Sequence, residues 1–304
     1  MFPFWHDVVA PIIEAAGARR VVEVGALRGE NTELMLERLG PEVELHVIDP
    51  LPDFDPAEHE ERFGGRYFFY RDLSVNVLDR LPVMDVALID GDHNWFTVYT
   101  ECSQLAAVAA RDEAPLPVLI LHDVEWPYGR RDLYYDPTNI PAEHVQPWAR
   151  SGMRRGQSDL VPGSSGMNPT LANAVHEGGP RNGVMTGLED FIAEHPKPVR
   201  KVVLPLYFGL AIVVEEDVLA ARPELVAVLD HLESNQGKDE LLRLGEGIRL
   251  DAVTFDQALL RLRDERIDRL GRMYLETVKS AILNDHHIHN EVLIHHLRTA
   301  AVRG

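Results

Sequence analysis

The chain has 304 residues, of which 49 are acidic and 30 basic, giving a net charge of −19. This charge disfavours nucleic acid and anionic membranes as partners and suits a neutral or cationic small molecule. The single cysteine, Cys102, excludes an internal disulfide and a thiolate metal cluster. The N-terminal residues lack the pattern of a signal peptide, and no apolar run reaches the roughly 20 residues of a membrane span. We therefore expect a cytoplasmic protein.

Helix and strand patterns alternate along the first 125 residues. Apolar spacing predicts helices over residues 6–16, 32–39 and 94–110. Runs rich in β-branched and aromatic residues predict strands over 20–24, 44–48, 67–70, 86–89 and 118–121. This alternation is typical of an α/β protein with a Rossmann-like, doubly wound, mostly parallel sheet.

The pattern is interrupted between residues 125 and 188, where glycine, proline, asparagine, arginine and tyrosine are frequent. An unstructured loop of that length inside a domain is unusual unless it serves a function. It follows the carboxyl end of a strand, which is where open α/β sheets bind their ligands. We therefore interpret residues 125–188, called the insertion below, as a cap over the site.

Regular patterns resume with a short helix over 188–193 and strands over 201–204 and 210–214, which bring the sheet to seven strands. The chain is helical and highly charged from Glu216 onward, and an apolar stripe runs along residues 255–286. We expect a domain over residues 1–215 and a helical region over 216–304. The helical region is expected to pack on the sheet or on a second subunit, so we expect a homodimer.

A glycine-containing turn follows the first predicted strand. Gly25 and Gly29 allow the backbone to approach a ligand closely. The free N–H groups at the start of the next helix, which includes Thr32, favour a carboxylate-bearing ligand. The spacing is E-x-G-x-x-x-G, beginning at Glu23, and the G-x-G-x-x-G of dinucleotide enzymes is missing. A dehydrogenase is therefore disfavoured.

Acidic residues follow the next two strands. Asp49, at the end of the second strand, is placed to accept hydrogen bonds from ribose hydroxyls. Together with Asp49, the turn resembles the first motif of class I S-adenosylmethionine-dependent methyltransferases. That resemblance implies that Glu23 lies near the methionine end of the cofactor, and that Asp72 lies where many such enzymes contact adenine. A solvated carboxylate beside Arg71 is the alternative for Asp72.

Carboxylates and imidazoles end two later strands, in the segments LIDGDH and ILHDV. Because both strand ends face one crevice, we expect Asp90 and Asp123 to be neighbours, with His93 and His122 beside them. Oxygen ligands with an imidazole suit a divalent metal held by Asp90, His122 and Asp123, and a histidine ligand favours transition metals over magnesium. Without a metal, His93 or His122 is the candidate general base.

The segments EVGALRGENT, LIDGDH and LHDV together resemble a bacterial methyltransferase group. The group includes macrocin O-methyltransferases and, more distantly, metal-dependent catechol O-methyltransferases, and cephalosporin hydroxylase-like proteins share its core. The resemblance covers residues 5–125 and 190–215. It implies S-adenosylmethionine as cofactor, magnesium or manganese held by Asp90 and Asp123, and methylation of a small hydroxylated acceptor such as a natural product or sugar. Several relatives have two successive carboxylates where this chain has His122-Asp123.

Four residues of the insertion are candidates for acceptor binding: Tyr128, Arg131, His176 and Arg181. An aromatic ring can stack on a flat or sugar-like acceptor, and an arginine can hold a carboxylate through two hydrogen bonds. The alternative is that these side chains fold the insertion itself.

Other interpretations remain open. The histidines at 286, 287, 289, 295 and 296 invite a metal site, but a solvated or interface helix is favoured there. An amine acceptor would make the protein an N-methyltransferase. The cephalosporin hydroxylase-like relatives leave room for other chemistry on this core, and a non-catalytic protein that only binds the cofactor is the remaining class.

Overall fold

The computed structural model describes residues 1–163 and 165–284, with side chains described as far as residue 278. The predicted metal-binding histidines from residue 286 onward lie outside the described residues. The strands are β1 (Arg20–Val24), β2 (Glu44–Ile48), β3 (Tyr67–Tyr70), β4 (Val86–Ile89), β5 (Val118–His122), β6 (Leu133–Tyr134), β7 (Trp148–Arg150), β8 (Ala172–Ala174), β9 (Val199–Leu204) and β10 (Leu210–Glu215).

A π-helical turn, Trp5–Val9, leads into the first helix. The helices are α1 (Ala10–Ala15), α2 (Glu30–Arg38), α3 (Pro56–Phe63), α4 (Trp95–Arg111), α5 (Val184–Glu194), α6 (Glu216–Ala221), α7 (Pro223–Glu233) and α8 (Asn235–Asn284). The sequence did not predict α3, which begins at Pro56 behind the side-chain cap of Asp55. None of the helices among the described residues has the length and apolar character that crossing a membrane requires.

The main sheet has seven strands, which confirms the predicted Rossmann-like fold, and their order is β3-β2-β1-β4-β5-β10-β9. The first five are parallel, whereas β10 runs antiparallel to both β5 and β9. This differs from the order 3-2-1-4-5-6 of classic dinucleotide-binding domains. In register, Val24 is opposite both Ile48 and Ile89, and Ile89 is opposite Leu121. Four parallel strands therefore end at one level.

Helices cover both faces of the sheet. On one face, residues of α1, α2 and α7 share a buried cluster with the strands. On the other face, α4 and α5 pack together, and Cys102 is fully buried there, as expected of a small core residue. The predicted start of α5 at residue 188 was late, because the helix begins at Val184, directly after Gly183. Gly187 lies against the backbone of Trp95, which lets α5 approach α4 closely.

The insertion contains a small antiparallel sheet in the order β6-β8-β7. Asp132, fully buried, joins it to the main domain: its Oδ1 accepts hydrogen bonds from the backbone N–H of Trp95 at 2.7 Å and of Gly183 at 2.6 Å. Its Oδ2 accepts one from the Tyr134 hydroxyl at 2.7 Å. The strands have only two or three residues each, too few to show a periodicity in sequence.

The first compact unit extends to Gly245 and a second begins at Glu246. The boundary at residue 215 stays a prediction, and beyond it leucines of α6 and α7, including Leu219, Leu225 and Leu229, are buried in the core of the sheet. Along α8, residues 255–278 of the predicted apolar stripe are helical, and their large apolar side chains as far as Leu275 are exposed.

Candidate active site

A pocket of about 700 Å³ opens at the carboxyl ends of β1, β2, β4 and β5. Its floor includes Gly25, Asp49 and Asp90 from the strand ends, and its cover includes Tyr128 and Asn168 from the insertion. The alignment of the parallel strands and the position of the insertion after β5 together form this pocket. It is the crevice in which open α/β sheets bind ligands.

The turn after β1 requires glycine at its first position. Gly25 has a φ of +83°, and a Cβ atom there would lie 2.6 Å from the Cα atom of Gly91, at the end of the neighbouring strand. Glycine is the residue that adopts this backbone at low cost. Gly29, with a φ of +73°, precedes α2 and faces the ring of Phe54, and it does not line the pocket.

Glu23, at the end of β1 before this turn, is almost fully buried. Its carboxyl group accepts hydrogen bonds from Asn31 Nδ2 at 2.8 Å and from the hydroxyl of Thr32. Burial raises the pKa of Glu23 to about 7, against the opposing effect of these two hydrogen bonds. Glu23 and Asn31 line the pocket, whereas Thr32 is buried behind them. A cationic group placed in the pocket would stabilise the ionised form of Glu23.

Asp49 lines the pocket and also shapes the turn. Its Oδ2 accepts hydrogen bonds from the backbone N–H of Ala26 at 2.9 Å and of Leu27 at 2.8 Å, and its Oδ1 accepts one from Leu51 at 2.8 Å. These three bonds fix the loop to the end of β2. That the Asp49 carboxylate also accepts hydrogen bonds from ribose hydroxyls stays a prediction. Such contacts would add to these three hydrogen bonds or replace some of them.

Asp72 does not line the pocket. Its Oδ1 accepts hydrogen bonds from the backbone of Leu73 at 2.7 Å and from Asn76 Nδ2 at 2.9 Å, so that it caps a local turn. The residues that follow it, Leu73, Ser74 and Val75, line the pocket instead. The predicted contact between Asp72 and adenine stays a prediction, and these three residues are the ones that line the pocket after β3.

Two carboxylates and two imidazoles meet at the ends of β4 and β5. His93 Nε2 lies 2.9 Å from Asp123 Oδ2 and 3.9 Å from Asp90 Oδ1. His122 Nδ1 lies 3.1 Å from Asp90 Oδ1 and 3.0 Å from Asp123 Oδ2. The amino group of Met1 also contacts Asp90 Oδ2, at 2.7 Å. The four predicted residues are therefore brought together, and we call them the carboxylate–imidazole cluster.

The charges in this cluster are strongly coupled. Burial disfavours ionised histidines, but the nearby carboxylates outweigh it and raise the pKa of His122 to about 9 and that of His93 well above its usual range. Burial likewise opposes ionised carboxylates, yet the histidines lower the pKa of Asp123 to about 2. The carboxylates of Asp90 and Asp123 both lie about 3 Å from His122 Nδ1. When both are ionised and this close together, they require positive charge between them, from protons or from a metal ion.

The donor set fits a divalent cation. Asp90, His93 and Asp123 each offer a ligand atom, and these atoms all lie within 4.8 Å of one another. Two carboxylate oxygens and an imidazole nitrogen suit manganese, iron or another transition metal better than magnesium. The sequence named His122 as the histidine ligand, whereas this group contains His93. His122 Nδ1 faces the same carboxylates and stays a second candidate ligand.

The structure brings only one of the four predicted acceptor residues to the pocket. Tyr128 lines it, 5.5 Å from the ring of His93 between centroids, and its hydroxyl accepts a hydrogen bond from Asn168 Nδ2 at 2.6 Å. The other three, Arg131, His176 and Arg181, belong to the insertion but do not line the pocket.

Arg131 is fully buried and donates hydrogen bonds to the carbonyl oxygens of Ala174 and Ser158, so that it holds the insertion together. His176 is exposed, with Nδ1 at 2.7 Å from Asp159 Oδ1. Arg181 is exposed and stacks over the ring of Trp95 at 5.1 Å.

Several pocket residues were not predicted from the sequence. Tyr207 and Phe208 belong to the β9–β10 connection and have left-handed φ values of +46° and +68°. Tyr135 and Asn139, from the insertion, also line the pocket. No sequence pattern predicts a positive φ at an aromatic residue. The residues of the insertion likewise show no pattern that distinguishes the ones that line the pocket.

This chain is similar to several solved structures of other proteins. One is an O-methyltransferase from Bacillus cereus in complex with SAH, at 15% identity and a TM-score of 0.40, over 67% of this chain and 77% of that chain. Another is a Streptomyces achromogenes O-methyltransferase involved in tomaymycin synthesis, in complex with SAM, at 12% identity and a TM-score of 0.37, over 68% and 78%.

A third similar structure is the 1,6-didemethyltoxoflavin-N1-methyltransferase of Burkholderia thailandensis, with 1,6-didemethyltoxoflavin and S-adenosylhomocysteine bound. It shares 17% identity at a TM-score of 0.36, over 69% of this chain and 80% of that chain. No family model matches this chain. No curated protein matches it either.

Proposed function

We propose that the chain is an S-adenosylmethionine-dependent methyltransferase that uses a divalent metal to methylate a hydroxyl group of a small acceptor. The observation that carries this proposal is that one pocket contains both the glycine turn with its buried Glu23 and the carboxylate–imidazole cluster. A cofactor site and a metal site that share a crevice can bring a methyl donor and a metal-bound acceptor together.

The residues around Gly25 fit the methionine part of the cofactor. Glu23, whose pKa burial raises to about 7, can accept hydrogen bonds from a cationic amino group. Asn31 Oδ1 is buried at the pocket and has no hydrogen-bond partner among the described residues. When bound, S-adenosylmethionine supplies an electrophilic methyl group on a positively charged sulfur. Arg28 is the only lysine or arginine among the described residues that line this pocket.

The carboxylate–imidazole cluster fits a metal that binds the acceptor. Asp90, His93 and Asp123 would hold the ion, with His122 as the alternative imidazole ligand. When bound, the metal orients the acceptor hydroxyl and lowers its pKa. His122 keeps its own proton at Nε2, which lies 2.9 Å from the carbonyl oxygen of Tyr207. If Asp90, His93 and Asp123 hold the metal, its positive charge would lower the pKa of His122, and Nδ1 of this imidazole could then receive the acceptor proton.

Aromatic side chains from the insertion and from the β9–β10 connection line the acceptor site. Tyr128, Tyr135 and Tyr207 place aromatic rings near the cluster, which suits a flat or sugar-like acceptor such as a natural product.

We further propose a cytoplasmic homodimer that acts on small molecules and not on nucleic acid, since the net charge of −19 repels polyanions.

Methyl transfer tests this proposal directly. The purified chain, S-adenosylmethionine with a labelled methyl group and manganese would be incubated with catechols, phenols, amino sugars and neutral sugars. We expect a labelled product from a hydroxylated acceptor, loss of it with excess chelator, and recovery on adding manganese. Cofactor binding without a product from any acceptor would support a non-catalytic binding protein. A product labelled on nitrogen would make the chain an N-methyltransferase.

A further inference from the structure

The second compact unit has a large apolar surface. Among its described residues, the helical segment Glu246–Val278, called the tail helix below, exposes eleven large apolar side chains between Leu250 and Leu275, each 39% to 70% exposed. Most fall on one broad side of the helix, including Phe255, Leu259 and Leu270. Soluble monomers seldom expose an apolar surface this extensive, and an isolated helix gains little stability from its own hydrogen bonds. Something must therefore cover this side.

The charge of the tail helix favours another tail helix as its cover. The segment carries seven acidic and six basic residues, although the whole chain has a net charge of −19. A second copy of the chain would be repelled at most other surfaces, but it meets almost no net charge here.

The charges within the tail helix are also arranged unevenly. Its first part, residues 246–256, has three acidic residues and one basic residue, whereas residues 261–272 have five basic and three acidic residues. Two parallel copies would place like charges side by side. Two antiparallel copies would place the acidic part of each helix beside the basic part of the other.

We infer that the tail helix pairs antiparallel with the same segment of a second copy, about a two-fold axis near Leu259. The midpoint between the acidic and basic parts lies at this residue. The segment is about 50 Å long at 1.5 Å per residue, long enough for an extended two-helix contact. A two-fold axis makes the contact self-complementary, since a residue that meets a second residue of the other copy is matched by the same contact in reverse. This pairing does not depend on the proposed reaction.

The mass of the full-length chain in solution is the first test. The chain has a mass of 34.2 kDa, so sedimentation should show a particle of twice that mass. Leu259→Glu places a charge at the axis and should shift the chain to monomer. Ala258→Glu adds the same side chain one position away, toward the polar side, and should leave the dimer intact. A monomeric wild-type chain, or a dimer that Leu259→Glu does not weaken, would overturn the inference.

Cysteine cross-linking tests the orientation without disturbing the apolar residues. Ala252 and Arg266 lie equally far on either side of Leu259, and the natural Cys102 is buried. A mixture of Ala252→Cys and Arg266→Cys chains should form a disulfide between copies, whereas either variant alone should not. Cross-linking of each variant with itself would show parallel helices and contradict the proposed pairing. Failure of the mixture to cross-link would contradict it as well.

Discussion

The Nε2 atom of His122 lies 2.9 Å from the backbone carbonyl oxygen of Tyr207. A carbonyl oxygen can only accept, so Nε2 carries a hydrogen and Nδ1 faces the carboxylates of Asp90 and Asp123. Nδ1 can then carry a second proton or contribute its lone pair to a metal. Backbone partners of this kind orient the imidazoles of metal sites. The β9–β10 connection is therefore part of the site, although it lies far away in sequence.

Replacing one carboxylate of the cluster should weaken metal binding selectively. We expect Asp123→Asn to reduce manganese affinity about ten- to a hundredfold, because it removes a charged ligand atom. Asp136→Asn, at an exposed carboxylate that lines the same pocket, should change metal affinity little. Calorimetric titration with manganese measures both. Equal losses in the two variants would show that the ion responds to overall charge and that the cluster does not bind it directly.

Gly25 should tolerate no side chain. A Cβ atom there would meet the backbone of Asp90 and Gly91, in addition to the strain of a φ of +83°. Gly65→Ala is the matched control, since Gly65 has a φ of +87° and nothing lies within 4 Å of its Cβ position. Backbone strain alone costs about 1 kcal/mol. We expect Gly25→Ala to lose more stability than this and to abolish cofactor binding in calorimetry. Unchanged binding would contradict the position of the turn.

Glu101 should make stability depend on pH. It is fully buried beside the Ser74 hydroxyl, and burial raises its pKa from 4.5 to about 8. The folded state therefore holds a proton that the unfolded state releases between these values. Stability falls as pH rises through this window, by at most about 1.4 kcal/mol per pH unit.

Glu101→Gln removes this effect, because glutamine resembles the protonated acid and does not titrate. Urea unfolding between pH 5 and pH 8 should show wild-type stability falling relative to the variant. Glu113→Gln, at an exposed site, should follow the wild-type curve. Parallel curves for wild type and Glu101→Gln would show that Glu101 is ionised throughout this range.

Arg131 should be a stability residue. Replacing it with methionine leaves the buried carbonyl group of Ala174 without its donor, which costs about 1–3 kcal/mol, and also removes the hydrogen bond to the carbonyl of Ser158, an exposed residue. Arg181→Met removes an exposed guanidinium from the ring of Trp95 and should cost less than about 1 kcal/mol. Urea denaturation compares the two. A small loss for Arg131→Met would show that its carbonyl partners find other donors.

The sequence predicted the parts of the fold that follow from periodicity. The seven strands and the alternation of helices with the first five of them follow from apolar spacing and turn residues. The meeting of Asp90 and Asp123 could also be predicted, because parallel strands end at the same edge of the sheet. These features depend on local patterns and on one general rule of topology.

The remaining features depend on contacts between distant segments. Arg131 is held away from the pocket by its hydrogen bonds to the carbonyl oxygens of Ala174 and Ser158. No spacing in the sequence connects Arg131 with these two residues. The contact of Tyr207 with His122 arises from a strained connection between two strands. Asp72 does not line the pocket, because Asn76 and the backbone of Leu73 hold its carboxylate in a local turn. Tertiary partners of this kind cannot be read from one sequence.

Calorimetric titration with S-adenosylmethionine and S-adenosylhomocysteine, with and without manganese, tests the central claim most directly. We expect micromolar binding of both ligands at one site per chain, with binding lost in Gly25→Ala and retained in Asp123→Asn. Absence of binding under every condition would contradict the proposed function and leave an α/β domain whose ligand is of another class.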